Sequence, residues 1–244
     1  MRTSSPAPSS AAPTDAPAGR RPCISIVIPF VDEERALPAT LARLFDTGAA
    51  IEAIAVDAGS GDRSRAVLGR YPVRIVEAPR GRAEQMNAGA RLAAGELLVF
   101  LHADTLLPPD ALPQLEARLG DPAFRWGGFH HAFSNADWRL RLISRMHNLR
   151  CRATGVFYGD QCMFVRRELF EQAGGFPAGL MEDIALSERL QRKCPPVLLD
   201  ATVVTDSRKF VRMGVWRSLG RVAAILVCRQ LHLPIPGAFF ADVR

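Results

Sequence analysis

Between Cys23 and Leu119, short apolar runs alternate with stretches whose apolar residues recur every three or four positions. The runs Ile24–Pro29, Ile51–Asp57, Val73–Ala78 and Glu96–Leu101 are rich in β-branched residues and bounded by turn signals, which predicts buried strands. The stretches after them, Leu37–Phe45, Ser64–Leu68, Ala83–Ala93 and Ala111–Leu119, predict amphipathic helices. Four successive β-α units predict an α/β fold with a doubly wound, mostly parallel sheet and right-handed crossovers. In such a sheet the carboxyl ends of the strands share one rim, and ligands bind there.

After Leu119 the pattern changes. Trp126–Phe133 predicts an extended segment, Trp138–Cys151 a basic amphipathic helix, and Val156–Val165 a strand after a glycine turn. A short helix over Glu168–Gln172 ends at Gly174-Gly175, a second spans Asp183–Arg192 and stops before Pro195-Pro196, and a last strand covers Val197–Val203. This half is expected to lie against the first and close a cleft.

The predicted rim gathers Asp32-Glu33-Glu34, Asp57-Ala58-Gly59-Ser60-Gly61-Asp62, Arg80-Gly81-Arg82 and His102-Ala103-Asp104. Asp104 ends an apolar run, where one carboxylate can share a hard divalent cation with a ligand's diphosphate; the same position also suits a helix N-cap. Asp57, a carboxylate on the last residue of a buried strand, needs an outside partner, which favours a functional role for it. The glycines after it allow a tight turn whose amides face a polar ligand, and Asp62 equally suits the start of a helix. Glu182-Asp183 opens a predicted helix, where the dipole alone favours carboxylates, yet Asp183 could also act as a general base. Arg208-Lys209 and Arg212 fall in an expected flexible basic loop suited to a diphosphate. His130 and His131 read as sheet or loop residues, and His102 as a metal-shell candidate beside Asp104.

With 244 residues and 48% hydrophobic content, the chain can bury a substantial core in one large domain, expected over residues 23–210. Met1–Pro22, rich in Ser, Ala and Pro, predicts a disordered tail without the apolar core of a secretory signal. Five scattered cysteines without a C-x-x-C pair argue against a disulfide framework and a structural zinc site, and fit a cytoplasmic protein. The net charge of +6 is weighted toward residues 211–244, a basic amphipathic segment expected to pack on the domain or touch an anionic membrane at its inner face. Aromatic content of 7% with no stacking platform excludes nucleic acid as the leading partner.

Taken together, Ile26-Val27-Ile28-Pro29 with Asp32-Glu33-Glu34, Ala55–Asp62, the strand ending in His102-Ala103-Asp104, and Glu182-Asp183 resemble the family 2 glycosyltransferases of the GT-A fold. More narrowly, Arg80–Gly89, Phe100–Thr105 and Gly159-Asp160-Gln161 resemble the radical-SAM/selenodomain-associated (arsenosugar biosynthesis) subgroup. The resemblance implies a Rossmann-like nucleotide-binding half, an acceptor-side half and a C-terminal helical segment. It also implies inverting transfer from a nucleotide-sugar donor, most often a UDP-sugar, to an acceptor the sequence does not name. Pro29, Phe30, Asp32, Glu33, Asp57 and Gly59 would then surround the nucleoside, with Asp57 reading the base. Arg82, Gln85, Asn87, His102 and Ala103 would border the donor, and Asp104 would hold Mn2+ or Mg2+. Asp183 would be the base with Glu182 beside it, and Gly159, Asp160 and Gln161 would lie on the acceptor side. Arg208 and Lys209 stand where many members carry Gln-x-x-Arg-Trp, and this chain has neither that Gln nor that Trp; the first Asp of the usual Asp-x-Asp is His102 here.

Two other readings compete. A nucleotidyltransferase would carry a glycine-rich basic loop after the first strand, where this chain has Asp32-Glu33-Glu34. A basic anion- or membrane-binding module explains the C-terminal arginines and leaves the rim carboxylates without a use.

Overall fold

The computed structural model describes residues 23–231 and 233. The expected tail over 1–22 and the end of the basic segment lie outside the described residues.

The eight strands are β1 (Ile24–Phe30), β2 (Ile51–Asp57), β3 (Arg74–Glu77), β4 (Leu97–Phe100), β5 (Thr105–Leu106), β6 (Trp126–Phe133), β7 (Phe164–Arg166) and β8 (Val197–Thr205). They form one sheet in the order β3-β2-β1-β4-β7-β6-β8-β5. β3, β2, β1 and β4 are parallel, as the four β-α units require. β7 then joins antiparallel to both β4 and β6, so the second half extends the same sheet. β8 pairs parallel with β6 and antiparallel with β5.

The helices are α1 (Leu37–Phe45), α2 (Ser64–Leu68), α3 (Arg82–Leu92), α4 (Ala111–Arg118), α5 (Trp138–Thr154), α6 (Arg167–Gln172), α7 (Glu182–Gln191), α8 (Arg208–Met213) and α9 (Val215–Gln230). Alternation along β1 assigns them to two faces. Ile24, Ile26, Ile28 and Phe30 join a core with Leu37, Leu41 and Leu44 of α1 and Leu112 and Leu115 of α4. Val27 points the other way, into a core with Met86 of α3, Phe170 of α6 and Leu186 and Leu190 of α7. Burying apolar side chains on both faces is the main favourable term holding these three layers together. Gly89 lets α3 approach closely, because a Cβ there would lie 2.4 Å from Val27 Cγ1.

The expected strand over Val156–Val165 is reduced to β7, and residues 159–161 instead form a 3-10 turn. The local backbone amides find side-chain partners: Phe157 N–H donates to Ser187 Oγ, Tyr158 N–H to Gln161 Oε1 and Gly159 N–H to Asp183. With those donors satisfied, no neighbouring strand is needed. The expected basic loop around Arg208 is α8, which follows a β8 that runs two residues further than the apolar pattern indicated.

Candidate functional site

The rim is assembled by the loops after β1, β2 and β4, closed from the other half by the 159–161 turn and the first turns of α7 and α8. Asp32-Glu33-Glu34 is fastened to the loop after β2. Asp32 Oδ1 accepts from Gly61 N–H at 2.7 Å, Ser64 Oγ accepts from Glu33 N–H at 2.8 Å, and Asp62 Oδ2 accepts from Glu34 N–H at 3.0 Å. Asp62 is thereby a link between loops, and it also accepts from Ser64 N–H at 2.9 Å at the start of α2. Of the three acidic residues, Glu33 faces the cleft, where it meets Lys209.

Lys209 Nζ lies 2.7 Å from Glu33 Oε1 and 3.3 Å from Asp104 Oδ2. Asp104 is not a helix cap: it precedes β5, and its carbonyl accepts from Asp206 N–H, which brings the end of β8 and α8 alongside. Burial pushes the Glu33 carboxyl up, and the Lys209 ammonium opposes that shift. The two carboxylates therefore form an oxygen-only donor pair already holding one cation, which fits a hard divalent ion. The two cations expected near phosphate are held within the rim in this structure, Lys209 by these two carboxylates and Arg208 Nε by Asp206 at 2.5 Å.

His102 lies between Asp104 and the catalytic side. Its ring packs so closely on Gly159 that a Cβ there would be 2.6 Å from His102 Cε1. Burial, reinforced by the charge of Arg82, lowers its pKa to about 4, so the imidazole is neutral. Its Nε2 is buried without a hydrogen-bond partner.

Asp183 Oδ2 accepts from Gly159 N–H at 2.6 Å, and Oδ1 from Ile184 N–H at 2.8 Å. Burial raises its pKa against those hydrogen bonds. Glu182, also buried, is pushed up to about 7 by burial first and the charge of Asp183 second. Arg82 Nη1 stands 3.8 Å from Glu182 Oε1, close enough to moderate both carboxyls. Raised carboxyl pKa values in a cleft mark groups able to take a proton near neutral pH. The three non-glycine residues of positive φ among the described residues are Asp32, Cys162 and Met181, each in or next to this site. Left-handed backbone at such residues persists only where the surroundings enforce it.

Several residues expected at the ligand are held by partners within the chain in this structure. Asp57, 1% exposed, receives Gly59 N–H, Ser60 N–H and Ser60 Oγ on Oδ1 and Arg65 on Oδ2, so its partner comes from within the chain. Gly59 correspondingly spends its amide on Asp57. Pro29 and Phe30 are buried, with Phe30 in the core, and Ala103 is buried with its carbonyl accepting from Thr40 Oγ1. Gln85 is buried and donates to the carbonyls of Phe30 and Val56, joining α3 to the ends of β1 and β2. Asn87 clamps the backbone of Phe176 in both directions. Gln161 is fully buried, donating to Phe129 O, while Asp160 beside it is partly open. Gln85, Asn87 and Gln161, expected to border the donor or acceptor, thus spend these polar groups on the backbone of neighbouring elements.

Two features escaped the sequence. Arg65 covers Asp57, and its position in α2 gives no motif. His131, His147 and Asp160 converge although they come from β6, α5 and the 3-10 turn. Residues so far apart in the chain leave no spacing to read.

The model of the family described as glycosyl transferase family 2 matches residues 25–174. The undecaprenyl-phosphate 4-deoxy-4-formamido-L-arabinose transferase of Pseudomonas aeruginosa (strain LESB58) is 32% identical over 164 residues, covering 61% of this chain and 48% of that protein. The protein of the same name from Serratia proteamaculans (strain 568) is 32% identical over 167 residues, covering 61% and 50%. The chain thus spans about half the length of the curated relatives it matches. In structure it is similar to the mannosyltransferase PcManGT from Pyrobaculum calidifontis in complex with GDP-Man and Mn2+, with a TM-score of 0.67, 21% identity, and coverage of 91% of this chain and 67% of that one. It is also similar to glucosyl-3-phosphoglycerate synthase from Mycobacterium tuberculosis in complex with Mn2+, UDP and phosphoglyceric acid, with a TM-score of 0.59, 18% identity and coverage of 90% and 81%. These likenesses show the fold, the GT-A arrangement of one mixed sheet between helical layers, and with the family match they establish that the chain belongs to glycosyl transferase family 2.

Proposed function

We propose that this protein transfers a sugar from a nucleoside-diphosphate sugar, with UDP as the carrier, to an acceptor hydroxyl, with inversion. The observation that carries the reading is Asp183, a buried carboxylate of raised pKa fixed by Gly159 N–H and facing the same cleft as His102, Arg82 and Asp104. Removing a hydroxyl proton requires one base held in a fixed direction, and Asp183 is so held. Glu182, in contact with Arg82, sets the charge that Asp183 experiences. His102, neutral, offers a donor or acceptor to the sugar without repelling the metal.

Asp104, with Glu33 near it, would hold Mn2+ or Mg2+, which when bound supplies positive charge to the departing diphosphate. Lys209 then turns from its carboxylate partners toward phosphate oxygens. Asp57 reads the base once Arg65, half exposed, swings onto Glu77, to which it already bonds at 2.6 Å. The narrower radical-SAM-associated subgroup is the branch of the family that the motifs around Arg82, His102 and Asp160 favour.

A second reading replaces the hydroxyl with a lipid phosphate, as in the relatives' names. One observation favours it: Trp138, Leu142, Met146 and Leu149 are exposed along one face of α5, with Trp216 of α9 placing its ring 6.5 Å from that of Trp138. Arg139, Arg141, Arg145 and Arg152 flank this stripe, an arrangement suited to the surface of an anionic bilayer. Among the described residues no helix is long and apolar enough to cross a membrane. A phosphate acceptor is already ionised and needs no base, so the two readings part at Asp183. Assaying Asp183→Asn with soluble hydroxyl acceptors and with a polyprenyl phosphate tests them: loss with the first supports the proposal, and retained transfer to the second supports the alternative.

A further inference from the structure

We propose a second metal site, distinct from the Asp104 region, in which His131, His147 and Asp160 bind a transition-metal ion of the Zn2+ class. One ligand atom from each of the three lies within 4.8 Å of the others. His131 Nε2 is 3.6 Å from Asp160 Oδ2, and His147 Nε2 is 3.5 Å from Asp160 Oδ1. Each imidazole thus faces its own oxygen of the Asp160 carboxylate at a distance close to the roughly 3.3 Å between neighbouring ligand atoms of a tetrahedral site with metal–ligand distances of about 2.0–2.1 Å. Both separations are too long for direct hydrogen bonds.

The orphaned atoms point the same way. Both ring nitrogens of His131 and Oδ1 of Asp160 are buried without a hydrogen-bond partner, although His131 is 1% exposed. A fully buried imidazole with neither nitrogen satisfied is costly unless an ion or water completes it. Two imidazoles with one carboxylate match the nitrogen–oxygen preference of Zn2+ and leave a fourth position open.

The surroundings are built to keep the ligands in place. Asn148 accepts from His131 N–H at 2.9 Å and donates to His131 O at 3.0 Å, locking α5 to β6 one residue beyond His147. The two imidazoles stack with centroids 5.1 Å apart. His147 Nε2 also meets Gln161 Oε1 at 2.9 Å, and that oxygen keeps Tyr158 N–H as a donor when the imidazole turns to a metal.

Such an ion ties β6 and α5 to the 3-10 turn whose first amide holds Asp183. The site stands or falls independently of the transfer chemistry, because its test reads metal binding directly. The full-length protein is stripped with chelator and titrated with Co2+ and with Zn2+, following visible absorption, calorimetry and thermal melting. The expected result is one equivalent of Co2+ giving the intense bands of a tetrahedral nitrogen–oxygen site, displaced by Zn2+, with a rise in melting temperature. Asp104→Asn keeps this equivalent, while His147→Gln and Asp160→Asn each weaken it at least tenfold. His131→Gln is added with its fold checked by circular dichroism. Absence of a tight equivalent in the stripped wild type overturns the proposal, as does binding unchanged in both His147→Gln and Asp160→Asn or lost in Asp104→Asn.

Discussion

The backbone N–H of Gly159 donates to Asp183 Oδ2 at 2.6 Å, so the direction of one carboxylate is set by a turn 24 residues away in the same half of the chain. Gly159 also lies against His102, where a side chain has no room. Gly159→Ala is expected to displace both groups while leaving the core intact. Transfer should fall on the order of a hundredfold, as for displacements near 1 Å, with nucleotide affinity nearly unchanged. Parallel measurement of turnover, UDP affinity and melting temperature checks this, and an equal loss of melting temperature and activity would assign Gly159 to folding alone.

Glu182 makes a pH-dependent contribution whose sign follows from its shift. Its folded pKa, about 7, is above the ordinary 4.5, so the folded state binds the extra proton between these values. Stability therefore falls as pH rises from about 4.5 through 7. Glu182→Gln should remove that fall and be more stable than wild type at pH 8, by on the order of 1–3 kcal/mol. Denaturant unfolding at pH 5 and pH 8 gives the comparison, and no gain at pH 8 would show that Glu182 is solvated. In the wild type, turnover should rise with pH as the Glu182–Asp183 pair loses its second proton, an apparent value belonging to the pair.

Asp104→Asn should weaken divalent-dependent UDP binding at least tenfold with the fold retained, because an amide oxygen lacks the charge that a hard cation needs. Calorimetry with and without Mn2+ measures it, and equal affinity in the variant or in chelator contradicts the role. Lys209→Met should strengthen Mn2+ binding in the absence of nucleotide, since the ammonium competes for Asp104 and Glu33.

Asp57→Asn tests base reading. The amide oxygen still accepts from Gly59, Ser60 N–H and Ser60 Oγ, so the turn survives. The other atom becomes a donor where Oδ2 was an acceptor, and the preference for UDP over GDP and ADP should shrink at least tenfold. Unchanged preference in competition binding would remove Asp57 from recognition.

The parallel half was legible in the sequence because Ile24–Phe30 and its neighbours carry their own periodicity, and the order of β-α units fixes their arrangement. The rim followed, since strand ends are where the apolar runs stop. What escaped was long-range. Nothing local to Phe157–Gln161 says that its amides will meet Ser187 and Asp183, so a strand was expected there. Gln85 and Asn87 resemble ligand-binding polar residues by type, and only their burial against the carbonyls of Phe30, Val56 and Phe176 makes them supports. Lys209 reads as free cationic charge until β5 pairing with β8 brings it to Asp104.

The central claim is that Asp183 removes the acceptor's proton, and the most direct test is single-turnover transfer by Asp183→Asn with saturating donor and a hydroxyl acceptor. The amide keeps the size of the side chain and, with its oxygen toward Gly159 N–H, that hydrogen bond, giving up only the one from Ile184 N–H; it cannot take a proton, so the account predicts a loss on the order of 10²–10⁴-fold in rate with donor affinity within a few-fold of wild type. A variant that transfers to the hydroxyl at the wild-type rate would contradict it.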